Sequence, residues 1–466
     1  RDSLIAKDFN IGKLLGLEKY LGKMNLQAYL DGQGVTDETA IIGMNGSVDS
    51  LEFMGNNFNK VQIAGILGGK RFNGYVNIFD ELVQLDFNGN IDFNRDIPVV
   101  DFAADINDAR LYDLNILKRD PDALFSSQVW CSFVGRKMDD IEGRLNIDSI
   151  YYTEGDKQIF VEHLTMLALK DGPFQKEISL RSDVLDAGIS GTYRYVDLYP
   201  ALTAMLNDHI SLGYIGLKQP DSIVVGQDYS FDLVINNSDQ VTDVFLQELR
   251  LAPNTSITGS VNTENGMFIL TGLTDEITYS GLRFNNWNFD IRRSPESIKL
   301  NSQIKRFIFK EAENEDDVEL GLGNLLLNAY AHQDSLDCII RWADQQNNEH
   351  NKGKLAASLN FADTILQYAR IREARVFIED SLWTIDPGNL ITLDSGTIAF
   401  KNLKFVGEKQ LLSLHGKISK NITDTLSIEF RGWEFSNFDL LVNNDKLDLD
   451  GEIDGDLKFS ALLDTI

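Results

Sequence analysis

Apolar and polar residues alternate strictly along much of this chain, a two-residue period that gives an extended strand one dry face and one wet face. From Val83 to Phe93 the apolar set is Val83, Leu85, Phe87, Ile91 and Phe93, with Gly89 in phase, against Gln84, Asp86, Asn88, Asn90 and Asp92. The pattern returns from Leu447 to Phe459, where Leu447, Leu449, Ile453, Leu457 and Phe459 alternate with Asp448, Asp450, Glu452, Asp454, Asp456 and Lys458. Shorter copies include Leu26/Ala28/Leu30, Met44/Gly46/Val48, Phe72/Gly74/Val76/Ile78, Val100/Phe102/Ala104/Ile106, Leu355/Ala357/Leu359/Phe361, Leu412/Leu414/Gly416/Ile418 and Leu426/Ile428/Phe430. Short polar turns such as Phe79-Asp80-Glu81 and Asn443-Asn444-Asp445 separate them. The expectation is an all-β chain: one long meander of antiparallel, half-buried strands. Glycines in phase with the apolar face remove bulk there and let the sheet curl toward its dry side.

Helical periodicity is scarce. Asn10 to Leu17 reads as a short capped helix, and Tyr195 to Ile210 as an amphipathic one, a plug or divider, with Val196, Tyr199, Leu202, Met205, Leu206 and Ile210 on its apolar side. The stretches Leu322 to Ala343 and Phe361 to Arg375 fit either period and are assigned as strands, because His332 to Ser335 has turn chemistry. No Pro/Gly/Ser-rich linker divides the chain. The helix and the acidic run Lys310 to Asp317 are the natural boundaries, giving segments 1–193, 194–212 (the helix), 213–310 and 311–466.

Composition narrows the function classes. Of 466 residues, 43% are hydrophobic, which supports a large buried surface, and 71 acidic against 43 basic side chains leave a formal charge of -28. That charge repels nucleic-acid phosphates and anionic membrane surfaces. Cys131 and Cys338 sit in apolar-patterned segments as small hydrophobes, and no run approaches the length of a membrane helix. The start, Arg-Asp-Ser-Leu, reads as that of a processed or excised piece.

Candidate chemistry is thin. The histidines His163, His209, His332, His350 and His415 show no metal-ligand spacing, and Cys-x-x-Cys, nucleophile-elbow, phosphate-loop and dinucleotide fingerprints are absent. Asp448, Asp450, Asp454 and Asp456 share one face of an extended strand, whereas a calcium loop needs oxygens converging around a turn. Neither an enzyme nor a cofactor is expected.

A dry face this long must pack on a second sheet, close into a barrel, or curl into a trough that holds something apolar. Several segments resemble the large periplasmic domain of the TamB family in its Bacteroidetes form, related to AsmA-like and bridge-like lipid-transfer proteins. They are Phe72-Asn-Gly-Tyr-Val-Asn-Ile, Leu85-Asp-Phe-Asn-Gly-Asn-Ile-Asp-Phe, Asp101-Phe-Ala-Ala-Asp-Ile-Asn-Asp-Ala-Arg-Leu-Tyr-Asp-Leu, Gly188-Ile-Ser-Gly-Thr-Tyr, Thr255-Ser-Ile-Thr-Gly-Ser-Val, Ser381-Leu-Trp-Thr-Ile-Asp-Pro, Ile398-Ala-Phe-Lys-Asn-Leu and Leu414-His-Gly-Lys-Ile-Ser. The family's N-terminal membrane anchor and C-terminal signature domain are not in this sequence.

The resemblance implies an elongated, curled antiparallel sheet, a β-taco, working as a periplasmic conduit for phospholipid between inner and outer membranes. Acyl chains would lie on Val76, Ile78, Leu85, Phe87, Ile91, Phe93, Phe102, Ile106, Leu414, Ile428, Leu449, Ile453 and Leu457. The implied partners are an outer-membrane barrel of the TamA type and the inner membrane, reached through an anchor outside this segment. The alternative is a non-enzymatic scaffold that offers a sheet edge to incoming outer-membrane strands. A secreted β-solenoid adhesin with a closed, lipid-free core is a third reading.

Overall fold

The computed structural model describes residues 2–15, 18–19, 21–33, 41–68, 70–93, 95–172, 175–207, 226–310, 319–343, 352–362, 365–378, 381–394, 396–434 and 451–460. The acidic run at 311–317, the turn at 443–445 and residues Leu447, Asp448, Leu449, Asp450, His209, Ile210 and His350 lie outside them. Among the described residues the chain is all-β, with three short α-helices. It divides into two compact units, unit 1 (1–195 and 229–254) and unit 2 (196–228 and 255–466).

Unit 1 opens with β1 (Asp2–Asn10), α1 (Ile11–Leu15), β2 (Leu21–Gln33), β3 (Ile41–Phe53), β4 (Asn56–Gly68), β5 (Arg71–Phe79), β6 (Gln84–Asp92) and β7 (Val99–Arg110). It continues with β8 (Leu124–Val134), β9 (Glu142–Glu154), β10 (Lys157–Asp171), β11 (Gln175–Ser182) and β12 (Leu185–Thr192). After α2 (Leu198–Asn207), which belongs to unit 2, the chain returns with β13 (Asp228–Ile235), α3 (Asp239–Phe245) and β14 (Leu249–Leu251). From β1 to β12 every strand pairs antiparallel with the next, as a meander must. The Asn10 side chain accepts the Lys13 N–H at 2.8 Å and so starts α1.

The dry face curls. Gly65, Gly74 and Gly89 stand opposite one another on β4, β5 and β6. A methyl group at Gly74 would lie 2.2 Å from the Ala64 carbonyl oxygen, and one at Gly89 would lie 2.5 Å from that of Asp101. Only the absence of side chains lets neighbouring strands fold toward each other along this line.

Alternation breaks where the backbone bulges. Asp8, Lys60, Asp108 and Ser149 in unit 1, and Asn286, Asn324 and Asn402 in unit 2, have left-handed φ between 47° and 56° inside strands. Each bulge moves the dry face from residue i to i+3, as from Phe58 to Val61 across Lys60 and from Ile106 to Ala109 across Asp108. Neighbouring strands supply hydrogen bonds to the displaced backbone: the Asp8 N–H donates to Asn25 Oδ1 at 2.8 Å, and that of Asp108 to Ser126 Oγ at 3.0 Å.

Unit 2 runs through β15 (Ser256–Asn262), β16 (Met267–Tyr279), β17 (Leu282–Ser294), β18 (Ser297–Lys310), β19 (Leu320–His332), β20 (Ser335–Ala343), β21 (Gly353–Ala362) and β22 (Ile365–Ile378). It ends with β23 (Ser381–Ile385), β24 (Leu390–Asp394), β25 (Thr397–Val406), β26 (Leu411–Ile418), β27 (Thr425–Glu434) and β28 (Glu452–Ser460). The ambiguous stretches are therefore strands. The short β23 and β24 share one lane between β22 and β25, interrupted at Pro387-Gly388. The fully buried Asn389 spans the break as a peptide group would, accepting the Ile371 N–H at 2.9 Å and donating to the Ile371 carbonyl at 2.6 Å.

The predicted helix over 195–210 is a 3₁₀ turn at Tyr195–Asp197 followed by α2. Its buried residues are Ala201, Thr203 and Met205, while Val196 and Tyr199, expected on the apolar side, are 65% and 58% exposed. The 3₁₀ entry takes Val196 out of the α-helical phase, and within α2 the buried side is set by Ala201 and Met205, which leaves Tyr199 on the opposite side. Arg293, buried, donates to the Met205 carbonyl at 2.7 Å, a cation at the helix's C-terminal turn.

Gly74→Ala is expected to cost about 1–3 kcal/mol, because the methyl meets backbone that cannot retreat. Gly43→Ala, whose methyl meets only the Asp31 carbonyl oxygen at 3.4 Å, stays within about 0.5 kcal/mol. Urea unfolding of the two variants measures the difference.

Candidate functional site: an apolar trough in unit 1

A cavity of about 330 Å³ lies on the dry face of β2–β6. Its lining includes Ile11, Met24, Met44, Val61, Ile63 and Leu67, together with the expected Val76, Ile78, Leu85, Phe87, Ile91 and Phe93. Four strand-to-strand steps span about 19 Å in a flat sheet. A single cavity touched by all five strands therefore requires the curl that the glycine line permits.

Burial grades across the trough. Val61, Met24 and Ile78 are buried, Val76, Leu85, Phe87 and Ile91 are half-buried, and Phe93 is 44% exposed at the mouth. Rings of Phe72, Phe87 and Phe102 run across β5, β6 and β7, with centroids 6.2 Å and 5.2 Å apart. Phe102 and Ile106 lie beside the cavity and not in its lining; Ile106 packs on the neighbouring core.

Towards the strand ends near Val83 the dry face is covered. Leu111, Ala123, Tyr152, Ile159, Val161 and the fully buried Val244 of α3 form one cluster there. Arg119 clasps α3: its Nε donates to Glu154 at 2.8 Å, its guanidinium lies 5.1 Å from the Phe245 ring centroid, and it also donates to the Val244 carbonyl. The Tyr152 hydroxyl donates to Glu154 at 2.8 Å, and burial reinforced by that carboxylate pushes its pKa up to about 12.

At the opposite strand ends, in the β9–β11 lanes, a caged lysine closes the face. Lys176 is 9% exposed, 2.6 Å from Asp139 Oδ1, with its Nζ 4.8 Å and 4.6 Å from the ring centroids of Tyr193 and Tyr195. Burial alone would raise the Asp139 pKa, but hydrogen bonds from Lys176 and the Tyr195 N–H bring it below the usual carboxylate range. The trough, in the β2–β6 lanes, keeps half-buried walls.

The remaining expected lining residues are in unit 2. Leu414 packs on the cluster of Ala374, Ile385 and Leu403, and Ile428 faces Leu414 on one side and Leu457 on the other. Ile453 stands opposite Trp433, and Leu457 is 49% exposed on β28. Leu449 lies outside the described residues. Asp454 accepts the Gly432 N–H at 2.9 Å, which gives this acid a structural task at a left-handed residue.

Sequence reasoning missed the β4 lining and α3. In β4 the Lys60 bulge hides the period, and the usable signal was the i, i+3 step from Phe58 to Val61. Both cysteines are free, and burial raises their pKa values, with Asp101 adding to the shift at Cys131. Among the described residues no group of three His, Cys, Asp or Glu side chains could hold a metal ion, and no helix is long and apolar enough to cross a membrane. No family model, curated protein or solved structure matches the chain.

Because Asp139 has its folded pKa depressed, its contribution to stability is full above the unfolded value of about 4 and is lost as pH falls through the folded value. Thermal melts from pH 6 to pH 3 should show a falling transition temperature with a shallower slope in Lys176→Met. An unchanged slope would mean that the pair does not stabilise the fold.

Proposed function

We propose that unit 1 holds lipid acyl chains in the β2–β6 trough and that the protein is a non-enzymatic, periplasmic lipid conduit between inner and outer membranes. The observation that carries this reading is the cavity itself. It is lined by carbon, walled by half-buried Leu85, Phe87 and Ile91, and within the range of about 300–1,000 Å³ common to small-ligand sites. A sixteen-carbon chain withdrawn from water gains on the order of 12 kcal/mol at about 0.8 kcal/mol per methylene. Movement along so uniform a lining needs no bond making, so catalytic groups are not required. The TamB resemblance supports the same direction and supplies the periplasmic setting and the TamA-type barrel as partner.

One observation favours scaffolding as a second reading. Among the described residues β28 pairs with a strand on one side only, and it exposes Leu457 and Phe459 at 49% and 38%. An open edge of this kind can take up another strand. Lys458→Pro would abolish such pairing, measured by crosslinking to a barrel-strand peptide, and would leave bound lipid unchanged.

The lipid reading is tested by organic extraction and mass spectrometry of the protein purified from bacterial membranes. Wild type should carry phospholipid near stoichiometry, and Phe87→Glu and Ile63→Trp should each lose it while retaining the native circular dichroism spectrum. Lipid-free wild type, or lipid retained by both folded variants, would overturn the proposal.

A further inference from the structure

The wet face of unit 1 carries an ordered row of its own. Residues paired across adjacent strands share a face, and following the register from β2 to β9 gives Tyr29, Asn45 and Ala64, then Tyr75, Asn88 and Ala103, then Trp130 and Asn146. An aromatic ring recurs every three strands, about 14 Å apart in a flat sheet, and an amide follows it each time. Tyr29, Tyr75 and Trp130 are 64%, 44% and 41% exposed. Aromatic side chains stabilise a sheet where they meet across adjacent strands, but these three are too far apart to touch, and among the described residues none stacks on another ring. Sheet packing therefore does not account for them.

A cleft of about 460 Å³ opens on this row at Asn88, Ala103, Trp130 and Asn146, where the small Ala103 side chain leaves room between the amide and the indole. The neighbouring row, two residues along each strand, completes the cleft with Asn73, Asn90, Asp101, Ser132 and Arg144. Thr165 Oγ1 donates to Asn146 Oδ1 at 3.0 Å, which fixes that amide and leaves its Nδ2 hydrogens to a ligand. Among the described residues Asn73, Asn88, Asn90, Asp101 and Arg144 make no side-chain hydrogen bond or ion pair. Asp101 and Arg144 stand on either side of Ser132 and balance each other, so the lining has no net charge in a chain of net charge -28.

We propose that this face binds a neutral, extended oligosaccharide: one sugar ring stacks on Trp130, its hydroxyls are held by Asn88, Asn90, Asp101 and Arg144, and the chain runs across the strands toward Tyr75 and Tyr29. Each sugar hydroxyl both donates and accepts, and amide, carboxylate and guanidinium groups present paired atoms that bridge two of them. The C–H face of a pyranose is apolar and lies on an indole or phenol ring whose polar tip stays wet. A lining without net charge favours neither a phosphate nor a cation. In an extended β-1,4-linked chain each ring advances by about one strand spacing of 4.8 Å, so such a chain follows the row from one aromatic ring to the next. The cleft lies on the face opposite the trough, and the inference is independent of the acyl reading.

Isothermal titration calorimetry of the whole chain with cellohexaose, chitohexaose and maltohexaose tests it. Wild type should bind at least one of the two β-1,4-linked hexamers with Kd on the order of 100 μM or tighter, about tenfold tighter than its disaccharide and than maltohexaose, whose α-1,4 linkages coil the chain. Trp130→Ala should weaken binding about tenfold and Asn88→Ala about fivefold, each with the native circular dichroism spectrum. Phe79→Ala removes an aromatic side chain that is 52% exposed but off the row, and should leave the affinity unchanged. Wild type that binds none of the three hexamers would overturn the assignment and leave this face to a protein partner. Binding that survives both Trp130→Ala and Asn88→Ala, an equal loss in Phe79→Ala, or equal affinity for maltohexaose would overturn it as well.

Discussion

A sheet with one dry face must hide that face, and among the described residues of unit 1 no second sheet does it. The meander from β1 to β12 is a single layer, so the dry face is covered by its own curvature and by whatever short elements can be laid across it. Curvature depends on the Gly65, Gly74 and Gly89 line, where a single methyl would stand against the neighbouring backbone. Bulges at Asp8, Lys60, Asp108 and Ser149 add local twist, and those at Asp8 and Asp108 are held by side chains from adjacent strands.

The covers are polar devices serving an apolar end. The Arg119–Glu154 pair holds α3 over Val83, Leu111 and Tyr152, and Lys176 with Asp139 and two tyrosine rings closes the other strand ends in the β9–β11 lanes. Over β2–β6 large hydrophobic side chains remain half-buried around the cavity. Leaving such surface wet costs about 25 cal/mol per Å². Natural cores avoid that cost by close packing, and the acyl chain proposed above would remove it here.

Strict alternation in β5 and β6 made those strands legible, and five of the proposed lining residues on them, with Phe93 just beyond β6, meet in one cavity. The β4 wall of the cavity was illegible for a definite reason. A left-handed bulge keeps the same face while changing the spacing from two to three, so β4 reads as irregular although Phe58, Val61 and Leu67 are all buried. Asparagine and aspartate, the non-glycine residues that best tolerate the left-handed region, carry five of the seven bulges, but the β4 bulge falls on Lys60, which gives no such signal. The helix α3 was equally hidden, since seven residues are too few to show a helical period, and its place is set by Arg119, more than a hundred positions earlier in the chain. Unit 2 shows the same limit at Asn389, whose side chain substitutes for backbone in a way no local pattern announces.

The central claim is that the β2–β6 dry face is an accessible trough and not a sealed core. Photocrosslinking with a diazirine-bearing fatty acid, followed by peptide mapping, tests it directly. The account predicts adducts concentrated on the peptides that carry Ile63, Val76, Leu85, Phe87 and Ile91, competed away by unlabelled lipid. Adducts confined to exposed residues such as Tyr29, Ile66 and Phe79, with none on the trough walls, would contradict it.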